Sequence, residues 1–193
     1  MFLIYINELA AILDCYGIKI KLFADDAKLY VQIVNELNVV QLQPAIDALV
    51  RWSTDWQLSI SINKCSVLNT GRVTFSSCLN IDGIVLSTVK SARDLGVLVA
   101  HDVSPSLHIS SIVARAHKRS LRAFNLRNID LLLRAYLTYV RPLIEHDSII
   151  WSPYTVKDIE LIESVQHHFT KRLPDFNILP YAERLIVLTY LYL

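Results

Sequence analysis

The amino-acid sequence predicts an α+β protein. Two stretches, residues 18–34 and 79–86, alternate apolar and polar side chains around a short polar turn, which is the pattern of an antiparallel β-hairpin. After residue 101, apolar side chains instead recur at helical spacing. We therefore expect β-hairpins with packing helices in residues 1–100 and an all-helical region in residues 101–193.

Composition limits the class of protein. Hydrophobic residues make up 53% of the chain, yet no apolar run reaches the roughly 18 residues of a membrane span, so no membrane partner is expected. The apolar start lacks a basic leader, which argues against a signal peptide. Cys15, Cys65 and Cys78 form no CxxC pair, which argues against a disulfide framework or a zinc site. This cysteine usage favours an intracellular location, nucleus or cytoplasm.

An acidic pair, Asp25-Asp26, stands at the tip of the first predicted hairpin. Period-two alternation places Phe23 and Asp25 on one face of the strand and Leu22 and Ala24 on the other. Acidic pairs are common in turns because Asp bonds its own backbone, so a plain turn is one interpretation. The other is a metal site, since carboxylates at a rigid tip can bind Mg²⁺ and leave positions for substrate phosphates.

Helices are predicted on both sides of this hairpin. Residues 1–13 form an apolar segment, and residues 36–56 have the apolar spacing of an amphipathic helix that packs across the back of the hairpin sheet. Within the second helix, Trp52 and Trp56 are four residues apart. Core packing is favoured for this pair over a platform that stacks bases.

The next segment returns to strand-like patterning. Residues 57–68 alternate with period two and carry Lys64, and Asp82-Gly83 is a two-residue turn signal between residues 79–81 and 84–86. Beyond residue 101, Ser104 or Ser106 can cap a helix. A later helix is predicted to end at Pro142, and one over residues 157–172 is predicted to turn Ile159, Ile162, Val165 and Phe169 inward.

Basic residues concentrate in the helical region. Between residues 115 and 141 a single acid, Asp130, stands among seven basic residues: Arg115, Lys118, Arg119, Arg122, Arg127, Arg134 and Arg141. In the first helix they lie mostly off an apolar stripe that includes Ile109, Ile112, Val113 and Ala116. A solvated helix face and a phosphate-backbone footprint both fit this pattern.

Five motifs occur in one order across most of the chain: FADD at 23–26, WQLSISINKC at 56–65, ARDLG at 92–96, YVRPLIE at 139–145 and IWSP at 150–153. Together they resemble the reverse transcriptases of non-LTR, LINE-like retrotransposons. The resemblance implies a partial polymerase palm, a β-hairpin sheet with packing helices, in residues 1–100. It implies an all-helical, thumb-like region in residues 101–193.

The resemblance assigns catalytic roles to Asp25, Asp26 and Lys64, and a primer contact to Phe23. Asp25 would ligate both catalytic Mg²⁺ (or Mn²⁺) ions, and Asp26 would support it as a second metal ligand. Phe23 would line the primer terminus. Lys64, in the family's fourth motif, would donate a proton to departing pyrophosphate, which is general acid catalysis. The alternative for Lys64 is a surface lysine in a turn.

The resemblance also assigns nucleic-acid contacts. Arg93 and Gly96 belong to the family's primer grip, although Arg93 can equally pair with Asp94. The basic residues Arg115, Lys118, Arg119 and Arg122 would hold the duplex through its phosphates, which sets position and not sequence preference.

The implied activity is RNA-directed DNA polymerisation, with an RNA template, a DNA primer and dNTPs as partners in the complete enzyme. The first catalytic motif and its aspartate are missing from the sequence, so the chain alone is expected to be inactive. A second interpretation is a non-catalytic nucleic-acid-binding remnant that uses the basic helices at 108–141. A third is a degraded element remnant without function.

Overall fold

The computed structural model describes residues 2–34, 36–71, 78–123 and 128–192. It mixes α-helices with short β-strands, which confirms the α+β class. The chain divides into two compact units, residues 1–90 and 91–193. This division precedes the one expected at residue 100, because the hairpin that follows Lys90 contributes Val97 to the core of the helical unit.

The first unit combines helices with two-stranded ribbons. Its elements are α1 (Phe2–Asp14), β1 (Lys19–Phe23), β2 (Asp26–Tyr30), α2 (Glu36–Val40), α3 (Leu42–Asp55), a 3₁₀ turn (Ile62–Lys64), β3 (Ser66–Leu68), β4 (Asn80–Ile81), β5 (Ile84–Val85) and β6 (Ser87–Val89). Strands β1 and β2 pair antiparallel, as do β4 and β5, whereas β3 and β6 pair parallel. In the described residues these pairs form separate ribbons, not the single sheet that was expected.

The predicted hairpin β1–β2 is confirmed, and its apolar face packs on the hydrophobic core of the first unit. Ile20 and Leu29 are partners in the register and pack against a core to which α1 and α3 contribute Leu9, Leu13 and Trp52. Burying a side chain of this size stabilises a fold by about 1.5–3 kcal/mol. The helix expected over residues 36–56 shares this core with the hairpin through Trp52, and α1 is the helix that packs directly on β1.

Two predictions for the first unit are wrong in detail. The single helix expected over residues 36–56 is two helices, α2 and α3, separated at Gln41. The period-two stretch becomes a strand only at β3. Its alternation reflects side-chain packing instead, because Ile60 and Ile62 contact a small core around Ile46.

The two tryptophans, both expected in the core, differ in their burial. Trp52 is buried, as expected for a core residue, but Trp56 is 40% exposed and its indole N–H donates to Glu8 Oε2 at 3.2 Å.

The turn at Asp82-Gly83 is confirmed. Its φ angles of 51° and 78° are both positive, as a type I′ turn requires.

The second unit packs helices around one core. Its elements are β7 (Ser91–Asp94), β8 (Val97–Ala100), α4 (Ser106–Ala123), α5 (Ile129–Ala135), a π-helix (Tyr136–Val140), α6 (Arg141–Glu145), α7 (Ser148–Trp151), α8 (Val156–Lys171) and α9 (Tyr181–Tyr192). The apolar stripe expected on α4 is confirmed, since Ile109, Ile112, Val113 and Ala116 are all buried in this core.

Three residues of the second unit behave differently from expectation. Pro142 does not end a helix but lies in the first turn of α6, directly after the π-helix, where a missing N–H is tolerated. Ile159 is 47% exposed, whereas Val165 and Phe169 are buried as expected. Of the two predicted caps, Ser104 accepts the Ser106 N–H at the start of α4 at 3.4 Å, whereas Ser106 connects α4 to α8. Its hydroxyl donates to the buried Asp158 carboxylate of α8 at 2.7 Å.

Within the described residues, no helix combines the length and the apolar character needed to cross a bilayer. The longest helix, α4, instead carries charged side chains along one face.

Candidate functional site

The acidic pair lies at the hairpin tip, as the sequence predicts. Ala24 and Asp25 form the two-residue turn, with Ala24 in the left-handed region at φ 51°. Asp26 begins β2 and pairs with Phe23 in the register. Both carboxylates are exposed, and so is the Phe23 ring. The tip therefore presents two carboxylates and one aromatic side chain to solvent.

The register corrects which carboxylate shares a face with Phe23. Directly opposite residues lie on the same face of an antiparallel ribbon, so Asp26 shares the face of Phe23. Alternation along the sequence assigns Asp25 to that face. The prediction fails because the turn takes up Ala24 and Asp25, and strand alternation does not continue through a turn.

The two carboxylates at the tip provide some of the ligands that a hard divalent cation needs. Mg²⁺ is commonly bound through one or two carboxylates, with waters and substrate phosphates completing its shell. Asp25 and Asp26 supply that number of carboxylates. No group of three or more His, Cys, Asp or Glu side chains comes together in the part of the chain that the structure describes. The tip thus fits one wall of a magnesium site.

Lys64 lies on a turn of its own. It ends the 3₁₀ turn and is exposed. Its neighbours Ile62 and Cys65 anchor the turn by packing against the small core around Ile46. Burial raises the pKa of the Cys65 thiol, which favours the protonated form. The turn is therefore fixed at its base while its lysine remains in solvent.

The ARDLG motif forms the hairpin β7–β8. Its turn residues Leu95 and Gly96 have φ angles of 46° and 95°. Arg93 is exposed and its Nη1 donates to the Gly96 carbonyl at 3.4 Å. A Cβ on Gly96 would lie 3.4 Å from His146 Nε2, and that imidazole is itself 3.0 Å from Asp147 Oδ2. Glycine is favoured here by the positive backbone angle, whereas a Cβ would make only ordinary contact with the His146 ring.

Two histidines that sequence reasoning did not select hold this hairpin. His146 covers the turn, and the indole N–H of Trp151 donates to its carbonyl at 2.7 Å. The second, His108, is buried on α4, and its Nδ1 accepts the Leu98 N–H at 3.0 Å. An imidazole nitrogen that accepts an N–H carries no proton, so this bond requires neutral His108.

Acidification is expected to destabilise the second unit through His108. Burial is the main cause that lowers the pKa of folded His108, and the charges of Arg115, Arg93 and His146 lower it further against a raising effect of Asp147. In the unfolded chain the pKa stays near 6.5. The unfolded state therefore takes up the proton first, so this stability is complete above about pH 6.5 and is lost as pH falls below it.

Urea unfolding of the wild type and of His108→Asn between about pH 7.5 and about pH 5 tests this expectation. The Asn amide oxygen can accept the Leu98 N–H without titrating, so the variant should lose less stability on acidification. Burial is also the main cause that lowers the pKa of His117. The variant His117→Gln, which replaces this second histidine, therefore serves as the matched comparison. Identical pH profiles for the wild type and His108→Asn would contradict the assignment.

Helix α4 presents the predicted basic face. Arg115, Lys118 and Arg119 are exposed, while the side chain of Arg122 and all of Arg127 lie outside the described residues. Arg119 also has a packing role, because its Nη1 donates to the Tyr139 carbonyl of the π-helix at 3.2 Å. A guanidinium has five N–H donors, so this bond leaves others for a phosphate.

The predicted site residues thus fall into separate groups. The first unit carries the hairpin tip (Phe23, Asp25 and Asp26) and the Lys64 turn, and the second unit carries the ARDLG hairpin and the basic face of α4. Two cavities were found elsewhere, one of about 410 Å³ lined by Pro44, Asp47, Val50, Arg51 and Asp82, and one of about 260 Å³ beside the π-helix. Among the described residues proposed above for metal or nucleic acid, Arg141 of the basic stretch lines the cavity beside the π-helix, and the others line neither cavity.

The chain was compared with protein-family models, with curated proteins and with solved structures. No family model matches it. The searches of curated proteins and of solved structures also returned no match. The likeness to reverse transcriptases therefore depends on the five ordered motifs, and the hairpin tip is the feature of the fold that bears on it most directly.

Proposed function

We propose that the chain is the distal palm and thumb-like portion of an RNA-directed DNA polymerase, the reverse transcriptase of a non-LTR retrotransposon. The observation that carries this proposal is the exposed acidic pair at the tip of a hairpin whose other face is packed on a core. A carboxylate on a supported ribbon has the restricted geometry that a catalytic metal ligand needs. The other motifs follow in the order expected of the family.

In the complete enzyme, Asp25 and Asp26 would hold magnesium at the hairpin tip, and Phe23 beside them would contact the primer terminus. Bound magnesium would neutralise the negative charge that develops during nucleotidyl transfer. Arg93 on the β7–β8 turn would contact the primer backbone, and the basic face of α4 would hold the duplex. RNA template, DNA primer and dNTPs are the corresponding partners.

Primer extension tests the polymerase proposal. No counterpart of the first catalytic motif occurs in this sequence, so the chain with Mg²⁺, template, primer and dNTPs is expected to give no extension. Joined to a segment of a non-LTR reverse transcriptase that supplies the fingers and first motif, it is expected to extend the primer. Extension by the chain alone would overturn the expected inactivity, and failure of every joined form would oppose the proposed function.

Lys64→Ala in such a joined enzyme is expected to slow nucleotide addition by about a hundredfold, the lower end of the range for losing a general acid. Because Lys64 is exposed, the free energy of unfolding should change by less than about 0.5 kcal/mol. Lys90→Ala, another exposed lysine of the first unit, is the matched control. Single-turnover rates measure the effect, and full turnover by Lys64→Ala would remove the role.

Duplex binding without catalysis is a second candidate function, favoured by the exposed basic face of α4. Arg115→Ala combined with Lys118→Ala is expected to weaken RNA–DNA duplex binding. Each lost phosphate contact should also lower the slope of log K against log salt by about 0.9. Fluorescence anisotropy at several salt concentrations measures both effects. Lys157→Ala, an exposed lysine of α8, is the control, and an unchanged slope in the double variant would exclude this face.

A further inference from the structure

The hairpin β1–β2 has an outward face that the proposed function uses only at its tip. Directly opposite residues share a face of the ribbon. The register gives three such pairs on the outward face: Lys19 with Tyr30, Lys21 with Lys28, and Phe23 with Asp26. The opposite face carries Ile20, Leu22 and Leu29, which pack on the core of the first unit. The outward face is thus composed of lysines and aromatic residues with one acid at its end.

We propose that this ribbon face, defined by Lys19, Lys21, Phe23, Lys28 and Tyr30, binds single-stranded nucleic acid. Lys19 and Lys21 take the phosphates, and the two aromatic rings stack on bases. The inference deepens the proposed function, on which it rests for the class of ligand, by naming the strand that the hairpin contacts. It requires neither a metal nor catalysis, so it can be tested apart from primer extension.

The spacing of the cations fits a nucleic-acid backbone. Lys19 and Lys21 are exposed alternate residues of one strand, so their Cα atoms are about 7 Å apart, comparable to the separation of successive phosphates. Lys28 lies directly opposite Lys21 and is half-buried, so Lys19 and Lys21 are the exposed cations of this face.

The aromatic side chains indicate that the strand is single. Phe23 and Tyr30 are 61% and 48% exposed. Bases can stack on such rings with little sequence preference, because every base has a π face. In a duplex the bases are already paired and stacked within the helix, so exposed rings gain little from it. Sheet surfaces of RNA-binding domains combine aromatic rings with basic residues in the same way.

The acidic residue on this face determines where along the ribbon the phosphates and the bases of the strand lie. Asp26 lies opposite Phe23 at the tip and repels phosphate when no metal is bound there, whereas the lysines and Tyr30 lie toward the base of the ribbon. The phosphates should therefore follow Lys19 and Lys21. The base nearest the tip should stack on Phe23, beside the two carboxylates.

Anisotropy of labelled oligo-dT and oligo-U with the whole chain, in EDTA and at several salt concentrations, tests the proposal. Both single strands are expected to bind more tightly than a duplex of equal length. Lys19→Ala combined with Lys21→Ala should weaken binding and reduce the salt slope by about 0.7 for each lysine, the value for single strands. Lys90→Ala, an exposed lysine off this face, should leave both unchanged.

The contribution of the aromatic rings to binding is tested by variants that keep an apolar side chain but remove the π face. Phe23→Leu and Tyr30→Leu are each expected to weaken single-strand binding at least fivefold without changing the salt slope, because stacking on a base is lost. Phe23→Tyr and Tyr30→Phe keep a π face and should retain affinity. Tyr154→Leu, an exposed tyrosine of the second unit, is the matched control. Circular dichroism checks that each variant is folded.

Several results would overturn the proposal. These are no single-strand binding at low salt, equal affinity for a duplex, or affinity unaffected by Phe23→Leu and Tyr30→Leu. Loss of single-strand binding in Arg115→Ala with Lys118→Ala, but not in the ribbon variants, would assign the strand to α4 and oppose the proposal as well. Ribbon-dependent binding in a joined enzyme that fails to extend primers would support this inference while opposing the polymerase proposal.

Discussion

Phe169→Ala is expected to lower the free energy of unfolding of the second unit by about 3–5 kcal/mol, the usual cost of removing a large aromatic side chain from a core. Phe169 is 1% exposed and belongs to the one core that joins the helices of this unit. Its ring stacks on Tyr136, with centroids 4.3 Å apart and planes at 26°. The same burial raises the pKa of Tyr136 to about 12. Truncation therefore removes both buried area and an aromatic pair.

Urea unfolding followed by circular dichroism measures this loss. Ile159→Ala is the matched control, because it truncates an apolar residue of the same helix that is 47% exposed, and it should cost less than about 0.5 kcal/mol. Equal losses in the two variants would mean that α8 is not packed as described. Tyr136→Phe keeps the stacked ring and should retain most of the stability that Phe169→Ala loses.

Asp25→Asn in the joined polymerase described above is expected to reduce primer extension by at least about a thousandfold. Asn keeps the size of Asp and suits the exposed turn position, so the hairpin should fold as before. It replaces a negatively charged oxygen ligand by a neutral one, which holds Mg²⁺ more weakly. The expected loss is thus in the chemical step, which single-turnover kinetics at saturating dNTP and Mg²⁺ measures.

Asp82→Asn provides the control for Asp25→Asn. Asp82 is likewise an exposed aspartate in the two-residue turn of a hairpin in the same unit, where it is the first turn residue and Asp25 is the second of its own turn. Its replacement should leave extension unchanged. Asp26→Asn should have a smaller effect than Asp25→Asn, because Asp26 is proposed as the supporting ligand. Extension at the wild-type rate by Asp25→Asn would exclude the hairpin tip as the metal site.

The parts of the fold that could be predicted are those set by neighbouring residues. The hairpins around Asp25 and Asp82 follow from alternation and from turn chemistry, both of which are local. The parallel pairing of β3 with β6 joins residues that are distant in sequence, and no local signal indicates it. The π-helix before Pro142 was also missed, since a proline after an apolar helical run usually predicts an end to the helix.

The candidate site divides in the same way. The position of Asp25 and Asp26 at a hairpin tip was predicted, because turn and strands are contiguous. The contribution of His146 to the β7–β8 turn was not, although its adjacency to Asp147 is visible in the sequence. What the sequence could not show is that folding brings this histidine against Gly96. The sequence places His108 on the apolar side of α4, but nothing in the sequence indicates that its Nδ1 accepts the Leu98 N–H.

The π-helix at Tyr136–Val140 affects how this chain should be aligned with others. Its i→i+5 bonding accommodates one residue more than an α-turn does, so a related helix without the bulge should be one residue shorter. An alignment gap in that region belongs inside the bulge. In a regular helix Arg134 and Arg141, seven positions apart, would project in nearly the same direction, but the extra residue rotates them by about 100°. Inherited patterns of charge should therefore be compared separately before and after the bulge.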